Sequence, residues 1–272
     1  LTFSGKEKTG IGEKMVEVNE AAVEYYHYLL TKHKVGERAR LYLKERGVSE
    51  KIIENFRLGF ALSAWDGLSK YLMGKRKYEV ELLEKSGLVI KKEGGGSYDR
   101  FRDRIIFPLM DHRGKVVGLA GRLMPGADEK SGAKYINSPE TEIYHKSRTL
   151  FGFFQAKQAI REKDRVVLVE GEMDMISSFM AGVGETVAVK GTALTEDQLK
   201  LIGRLTKNLI LALDADGAGQ EATKRSIEMA EKQGFYVRVV QIKGGKDPDD
   251  VAREVPGKWK KMIEGAMDVY EY

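Results

Sequence analysis

The sequence predicts an α/β protein in which a parallel sheet carries helices on both faces. A mixed α+β basic subdomain precedes the sheet, and a helical C-terminal extension follows it. Two observations predict this order. Between residues 166 and 242, short apolar runs alternate with helical patterns, which is typical of a parallel sheet. Before residue 150, helical patterns give way to hairpin-like segments that are rich in Lys and Arg.

The composition excludes some classes of protein and site. The 272 residues carry a net charge of +5 and include no Cys, so disulfides and thiolate metal sites are excluded. No apolar run is long enough to cross a membrane and no signal peptide is present, so we expect a cytoplasmic protein without a membrane partner. Because the chain begins with Leu1 rather than Met, we expect a fragment of a longer protein.

The N-terminal region is predicted to begin with an arm and two helices. Residues 1–19 are polar and rich in Gly and Lys, and we expect a flexible arm. Residues 20–150 form the predicted mixed subdomain, with helices over 20–46 where apolar residues recur at helical spacing. Gly47 is expected to end the second helix, and Ser49 is expected to cap the next.

The rest of this subdomain is predicted to contain strands over residues 88–92, 105–110 and 116–120. Gly94, Gly95 and Gly96 predict one turn, and residues 111–114 predict another. Residues 100–165 contain 14 Lys or Arg against 8 Asp or Glu. Such an excess suits a polyanionic partner, although a solvated charged face would have the same composition.

Residues 151–255 form the predicted parallel-sheet domain. Strands are expected over residues 166–169, 186–189, 208–213 and 236–242, with helices over 173–181, 195–205 and 218–233. Thr195 and Gln198 have the spacing of a capping box. Residues 256–272 are expected to form the helical extension.

Acidic residues follow three of the predicted strands. Glu170 follows the first strand. A second group, Asp214 and Asp216, follows the third strand, and a third group, Asp247, Asp249 and Asp250, follows the fourth. The turn Lys190-Gly191-Thr192 follows the second strand. Parallel strands place all these turns at one edge of the sheet, where open α/β sheets bind ligands.

Carboxylates that converge at one edge repel one another unless a cation neutralises them. Hard divalent cations prefer oxygen ligands, and two of them can promote phosphoryl displacement. Histidine is scarce and absent from these turns, which favours Mg²⁺ or Mn²⁺ over zinc. Each acid taken alone could instead be a helix cap or a turn residue.

Two of the acidic segments resemble the signatures of the Toprim domain of primases, topoisomerases and some nucleases. They are Glu170-Gly171-Glu172-Met173-Asp174 and Asp214-Ala215-Asp216-Gly217-Ala218-Gly219. Four further segments resemble motifs of bacterial DnaG-type primases. They are SYDRFRDR followed by IIFPL (97–109), GLAGR (118–122), KYINSPET with HKSR (134–148), and Asp247-Pro248-Asp249.

The resemblance implies the catalytic core of such a primase, with a Toprim sheet, from about residue 20 to residue 272. It implies at least two Mg²⁺ or Mn²⁺ ions, with Glu170, Asp214 and Asp216 catalytic, and no zinc in this fragment. The implied metal ligands are Glu170, Asp214, Asp216, Asp247 and Asp249, with Asp174 in a supporting shell. The implied nucleotide and template contacts are Arg100, Arg102, Arg104, Arg122, Lys134, Tyr135, Asn137, Lys146 and Arg148.

The implied partners are single-stranded DNA, NTPs and the RNA primer, with a replicative helicase bound through a domain absent from this fragment. The implied state is a monomer. Tyr98 and Phe101 lie among the basic residues and could stack on bases, although Phe101 is expected in the core. The family usually has Tyr where this chain has Glu172, and we expect that carboxylate to face solvent.

Two alternatives remain open at this point. The first is another Toprim enzyme, a topoisomerase or nuclease, which would cleave DNA. The second is a basic module that binds single strands without catalysis, although the intact acidic motifs argue against it.

Overall fold

The computed structural model describes residues 4–127, 132–190, 194–213, 217–242 and 247–271. The chain divides into two compact units. The first unit comprises Leu1–Glu45 and Ser49–His145, and the second comprises Arg46–Val48 and Lys146–Tyr272. We predicted a division at residue 150, and the units divide between residues 145 and 146, apart from the short segment 46–48.

The first unit begins with a long helix, α1 (Ser4–Thr31). Met15, Val18, Ala22 and Tyr26 are buried along it. The flexible arm expected over residues 1–19 is therefore wrong for the described part, because the apolar stripe continues through Met15 and Val18. The Gly- and Lys-rich composition of this segment concealed that stripe.

Two shorter helices follow, α2 (Glu37–Glu45) and α3 (Glu50–Asn55). The left-handed backbone of Gly47, with φ of 75°, follows α2, as expected for a residue just beyond a helix end. The Ser49 hydroxyl accepts a hydrogen bond from the Ile52 N–H and caps α3, as predicted.

The sheet of the first unit is antiparallel. Its strands are β1 (Gly59–Ala61), β4 (Arg104–Met110), β5 (Val116–Leu123) and β6 (Tyr135–Asn137), in the order β1-β4-β5-β6. A separate hairpin pairs β2 (Val89–Lys91) with β3 (Ser97–Asp99). Helices α4 (Gly67–Gly74) and α5 (Val80–Lys85) lie between β1 and β2 in sequence. The strands β1, β3 and β6 were not predicted.

The second unit contains the predicted parallel sheet. Its parallel strands are β7 (Val166–Val169), β8 (Thr186–Ala188), β9 (Asn208–Leu211) and β10 (Tyr236–Val239), in the order β10-β9-β7-β8. The intervening helices are α7 (Glu172–Met180), α8 (Glu196–Ile202) and α9 (Gly217–Lys232), and α6 (Phe153–Lys163) precedes β7. The capping box of Thr195 and Gln198 is present at the start of α8. The predicted order of strands and helices is therefore confirmed.

Helix α10 (Pro248–Glu254) ends the predicted sheet domain. The C-terminal extension contains α11 (Pro256–Glu264) and the short strand β11 (Met267–Asp268). We predicted an entirely helical extension, but β11 pairs antiparallel with β10 and forms one edge of the sheet. Trp259 of α11 is fully buried, and its indole N–H donates to the Ser178 hydroxyl at 2.8 Å. In the described part of the chain, no helix has the length and apolar character that crossing a membrane requires.

Candidate functional site

The first acidic turn lies where β7 ends. Glu170 follows Val169 and is half-buried, and its carbonyl accepts a 2.8 Å hydrogen bond from the Lys190 N–H. Lys190 follows β8, is 4% exposed and has a left-handed backbone with φ of 65°. A non-glycine residue in this region stores backbone strain and is found mostly where the surrounding structure holds it in place. The turns after β7 and β8 are therefore joined at one edge of the sheet.

The second acidic turn is predicted to follow β9. Asp214 and Asp216, like Gly191 and Thr192, lie outside the described residues. Leu211 at the end of β9 pairs in parallel with Leu168 of β7. The end of β9 therefore lies beside the end of β7, which leads to Glu170. That Asp214 and Asp216 lie close to Glu170 stays a prediction.

The third acidic group lies at the start of α10. The Asp247 side chain caps this helix by accepting a 2.7 Å hydrogen bond from the Asp250 N–H, and Pro248 occupies the first turn. Each of Asp247, Asp249 and Asp250 offers a carboxylate oxygen within 4.8 Å of those of the other two. This spacing and the all-oxygen donor set fit a hard divalent cation.

Asp174 connects the first acidic turn with the third. One carboxylate oxygen accepts from the Gly171 N–H at 2.8 Å, and the other accepts from the Asp249 N–H at 3.3 Å. One side chain therefore fixes the backbone just after Glu170 and the backbone of the third group. This arrangement is what a supporting shell requires, although the role assigned to Asp174 stays a prediction.

Asp249 is the most enclosed carboxylate of the third group, at 3% exposed. It forms an ion pair with the Arg46 guanidinium and accepts a hydrogen bond from the Ser177 hydroxyl of α7. Each of its oxygens thus has a protein partner. Sequence reasoning missed Arg46, because a partner 203 residues distant leaves no local pattern.

The expectation that Glu172 faces solvent is wrong. Its side chain is only 4% exposed. It occupies the first turn of α7, a helix in which Met173, Met175 and Ile176 are also buried. A helix that is buried on most of its faces leaves little room for a solvated side chain.

The predicted basic residues of the first unit differ in exposure. Burial lowers the pKa of Arg100, whose Nε donates to the Gly87 carbonyl at 2.9 Å. Arg104 is 2% exposed and donates to the carbonyls of Gly121 and Lys134. The burial of Arg104 and these two hydrogen bonds favour a structural role over the predicted phosphate contact.

Several of the predicted residues lie near Arg122 on β5. Its guanidinium lies 5.3 Å from the ring centre of Tyr42 and 5.7 Å from that of Tyr135. Lys134 and Tyr135 are exposed, and Asn137 is half-buried. This surface combines two positive charges with an accessible aromatic ring, which is the chemistry that single-stranded nucleic acid requires.

Arg102 lies against two aromatic rings. Its guanidinium is 4.1 Å from the ring centre of Trp65 and 5.0 Å from that of Tyr98. Sequence reasoning did not select Trp65, which lies 33 or more residues from these partners and outside the matching motifs. Phe101 is 1% exposed and belongs to the core, as expected.

The remaining predicted residues, Lys146 and Arg148, belong to the second unit. Lys146 is half-buried, and Arg148 is exposed and donates from Nε to Asp197 at 3.0 Å. This hydrogen bond from Arg148 lowers the pKa of the Asp197 carboxyl. A surface ion pair of this kind can be exchanged for a phosphate contact at small cost.

Two family models match the chain. Residues 25–157 match the N-terminal domain of the DNA primase catalytic core, and residues 167–252 match a Toprim-like domain. The chain is 40% identical to the DNA primase of Halalkalibacterium halodurans over 255 residues, which is 93% of this chain and 42% of that protein. It is 42% identical to the DNA primase of Listeria monocytogenes over 253 residues, which is 92% of this chain and 40% of that protein. The chain therefore spans about two fifths of these relatives.

Solved structures resemble nearly the whole chain. A DnaG primase catalytic domain bound to single-stranded DNA superposes with a TM-score of 0.85 at 32% identity, covering 96% of this chain and 81% of that one. The RNA polymerase domain of the Mycobacterium tuberculosis primase DnaG also gives a TM-score of 0.85 at 32% identity, covering 95% and 85%. The likeness therefore extends over both units.

Proposed function

Because this chain belongs to the DnaG primase family, we propose that it is a catalytic core that synthesises short RNA primers on single-stranded DNA. The observation that carries the proposal is the acidic edge of the parallel sheet. Asp174 ties the turn after Glu170 to the segment that carries Asp247 and Asp249. Fixed carboxylates at such an edge suit a reaction in which phosphate charge must be neutralised.

The reaction we propose is nucleotidyl transfer between two NTPs paired with the template. The 3′-hydroxyl of one NTP attacks the α-phosphate of the other, a phosphodiester bond forms, and pyrophosphate leaves. Positioning and charge neutralisation can supply most of the acceleration for such a displacement. Glu170 would either ligate metal or accept the proton of the attacking hydroxyl, because it extends from the edge of the sheet just after β7.

We propose that the carboxylates hold Mg²⁺ or Mn²⁺, with two or more ions in the working site. Their ligands would be Glu170, Asp214, Asp216, Asp247 and Asp249. Bound divalent cations would neutralise phosphate oxygens and lower the pKa of a coordinated hydroxyl. Asp249 already has Arg46 and Ser177 as partners, so a cation at this carboxylate must share it with, or displace, a guanidinium.

The template and nucleotide phosphates would contact basic residues that are exposed or half-buried. We assign this role to Arg102, Arg122, Lys134, Lys146 and Arg148, with Arg100 and Asn137 in support and Tyr135 stacking on a base. The full-length protein would act in the cytoplasm as a monomer and bind the replicative helicase through a further domain. These statements rest on the family to which the chain belongs.

A priming assay tests the proposal. Single-stranded template, NTPs labelled at the α-phosphate and Mg²⁺ or Mn²⁺ should give short labelled RNA. Glu170→Gln and Asp214→Asn should nearly abolish this product while circular dichroism stays that of the wild type. The matched control is Glu162→Gln, which alters an exposed carboxylate of α6 and should prime normally. Wild-type priming by Glu170→Gln or Asp214→Asn would reject the assignment of the acidic edge.

Two further assays separate priming from the other activities of Toprim proteins. A nuclease or topoisomerase would nick or relax supercoiled plasmid in the presence of Mg²⁺ and would form no RNA. A module that only binds single strands would shift a labelled oligonucleotide without product. Labelled RNA without nicking supports the primase assignment.

A further inference from the structure

We propose that Lys190 is the fixed counter-ion of two carboxylates, Glu170 in the turn after β7 and Glu172 at the start of α7. We call these two side chains the β7 carboxylates. All three residues belong to the second unit. The proposal rests on the proposed function, and it adds a positioning residue that limits how tightly the acidic edge binds divalent cations.

The burial of Lys190 is the first observation. Lys190 is only 4% exposed, and lysine is almost never buried to this extent unless it is paired. A buried ammonium costs free energy unless an anion lies beside it and acceptor oxygens satisfy its N–H groups. The fold therefore has a reason to place this positive charge next to carboxylates.

The second observation is that the backbone holds Lys190 beside the turn after β7. Hydrogen bonds between the two chain segments continue beyond β7 and β8. The Val189 N–H donates to the Val169 carbonyl at 3.1 Å, and the Lys190 N–H donates to the Glu170 carbonyl at 2.8 Å. Neighbouring strands lie about 5 Å apart, so the four-carbon stem of a lysine is long enough to reach the β7 carboxylates.

The third observation is the negative charge that the turn would otherwise carry. The Glu172 side chain is 4% exposed, and Glu170 is half-buried two residues earlier. Glu172 lies in the first turn of α7, where the helix dipole supplies about half a positive charge. The β7 carboxylates are then left with about one and a half negative charges, which the charge of Lys190 reduces to about half of one.

Two other cations of this edge pair with the third acidic group. Arg46 forms an ion pair with Asp249, and Arg253 donates to the Asp250 carboxylate at 3.1 Å. The compensating charge for the β7 carboxylates is therefore assigned to Lys190.

A fixed positive charge beside metal ligands has two consequences. It offsets the repulsion between the carboxylates when no metal is bound, and it repels an arriving Mg²⁺ or Mn²⁺. A charge within about 4–6 Å changes the affinity of a carboxylate for a proton by roughly 10- to 1,000-fold, and we expect at least the lower value for a divalent cation. Weak binding by the protein alone suits an ion that substrate phosphates help to hold.

Electron paramagnetic resonance of free Mn²⁺ tests the proposal without nucleotides or priming. Lys190→Met keeps most of the apolar stem and removes the charge, and it should bind Mn²⁺ at least about 10-fold more tightly than the wild type. Lys190→Arg keeps the charge and should bind Mn²⁺ like the wild type. The matched control is Lys200→Met, which removes a lysine of α8 in the same unit whose side chain is 62% exposed. This control should also bind like the wild type.

Urea unfolding followed by the fluorescence of the buried Trp259 gives a second readout. In EDTA, Lys190→Met should unfold at a lower urea concentration than the wild type, and Mn²⁺ should stabilise it more than it stabilises the wild type. If Lys190→Met does not fold in EDTA, Glu172→Gln is compared with the double variant that adds Lys190→Met. The double variant should then bind Mn²⁺ at least about 10-fold more tightly than Glu172→Gln.

Two outcomes would overturn the role of Lys190. One is equal or weaker Mn²⁺ binding after the loss of Lys190 from a protein with a native circular dichroism spectrum. The other is an equal gain in affinity for Lys200→Met, which would show that only net charge matters. If the wild type binds Mn²⁺ and primes, either result refutes the counter-ion alone. If the wild type neither binds Mn²⁺ nor primes, both the counter-ion and the proposed function fail.

Discussion

Removing Arg46 should destabilise the second unit, because Arg46 balances the charge of a buried carboxylate. The Asp249 side chain is 4% exposed, and that of Arg46 is 22% exposed. Removing one partner of a buried ion pair leaves an uncompensated charge and costs about 3–5 kcal/mol. Because Arg46 retains some contact with water, we expect Arg46→Met to cost about 3 kcal/mol, at the lower end of this range. The methionine keeps the apolar stem of the side chain and so isolates the loss of charge.

Urea unfolding followed by the fluorescence of the buried Trp259 measures this loss, since Trp259 lies in the second unit. Adding Asp249→Asn to Arg46→Met should recover part of the lost stability, because no buried charge then remains unbalanced. The single variant should also gain more stability from Mg²⁺ than the wild type does, because a cation can replace the guanidinium charge.

The matched control is Arg148→Met, which breaks an exposed ion pair with Asp197 in the same unit. Its unfolding curve should stay close to that of the wild type. The reasoning is refuted if Arg46→Met unfolds at the wild-type urea concentration. It is also refuted if the double variant with Asp249→Asn is no more stable than Arg46→Met alone.

Three further predictions follow from single contacts. Asp174→Asn replaces one of two acceptor oxygens with a donor, and primer synthesis should fall about 10- to 100-fold; a normal priming rate would remove Asp174 from the supporting shell. Lys134→Ala should reduce by about one the slope of log affinity for single strands against log salt, and an unchanged slope would exclude a phosphate contact. Gly59→Ala places a Cβ 2.6 Å from that of Tyr26 and should cost about 1–3 kcal/mol in urea unfolding. Gly74→Ala, with open space around its Cβ, is the control, and equal stability of the two variants would contradict the packing argument.

Local signals were sufficient for much of the fold. The four parallel strands were predictable because each is a short apolar run, and Thr195 with Gln198 was predictable because a capping box needs only residues three apart. Gly47 and Ser49 were predictable for the same reason. The arm over 1–19 was the failure, because composition suggested disorder where Met15 and Val18 continue a buried stripe.

The site was predictable in part. The edge that carries Glu170 and the Asp247 group follows from strand order alone, since parallel strands end at one edge. The burial of Arg104 and of Glu172 was not predictable, because it depends on which neighbouring elements cover each side chain. Asp214 and Asp216 remain predictions from the motif.

The sequence by itself determined the order of strands and helices in the parallel sheet and the family to which the chain belongs, and it predicted an acidic edge. These depend on periodicity, caps and motifs, which are properties of residues close together in the chain. Only the tertiary structure decided that Arg46 pairs with Asp249 and that Trp65 meets Arg102. Such pairs join residues distant in sequence, and their free energy depends on burial and distance, which no local pattern records.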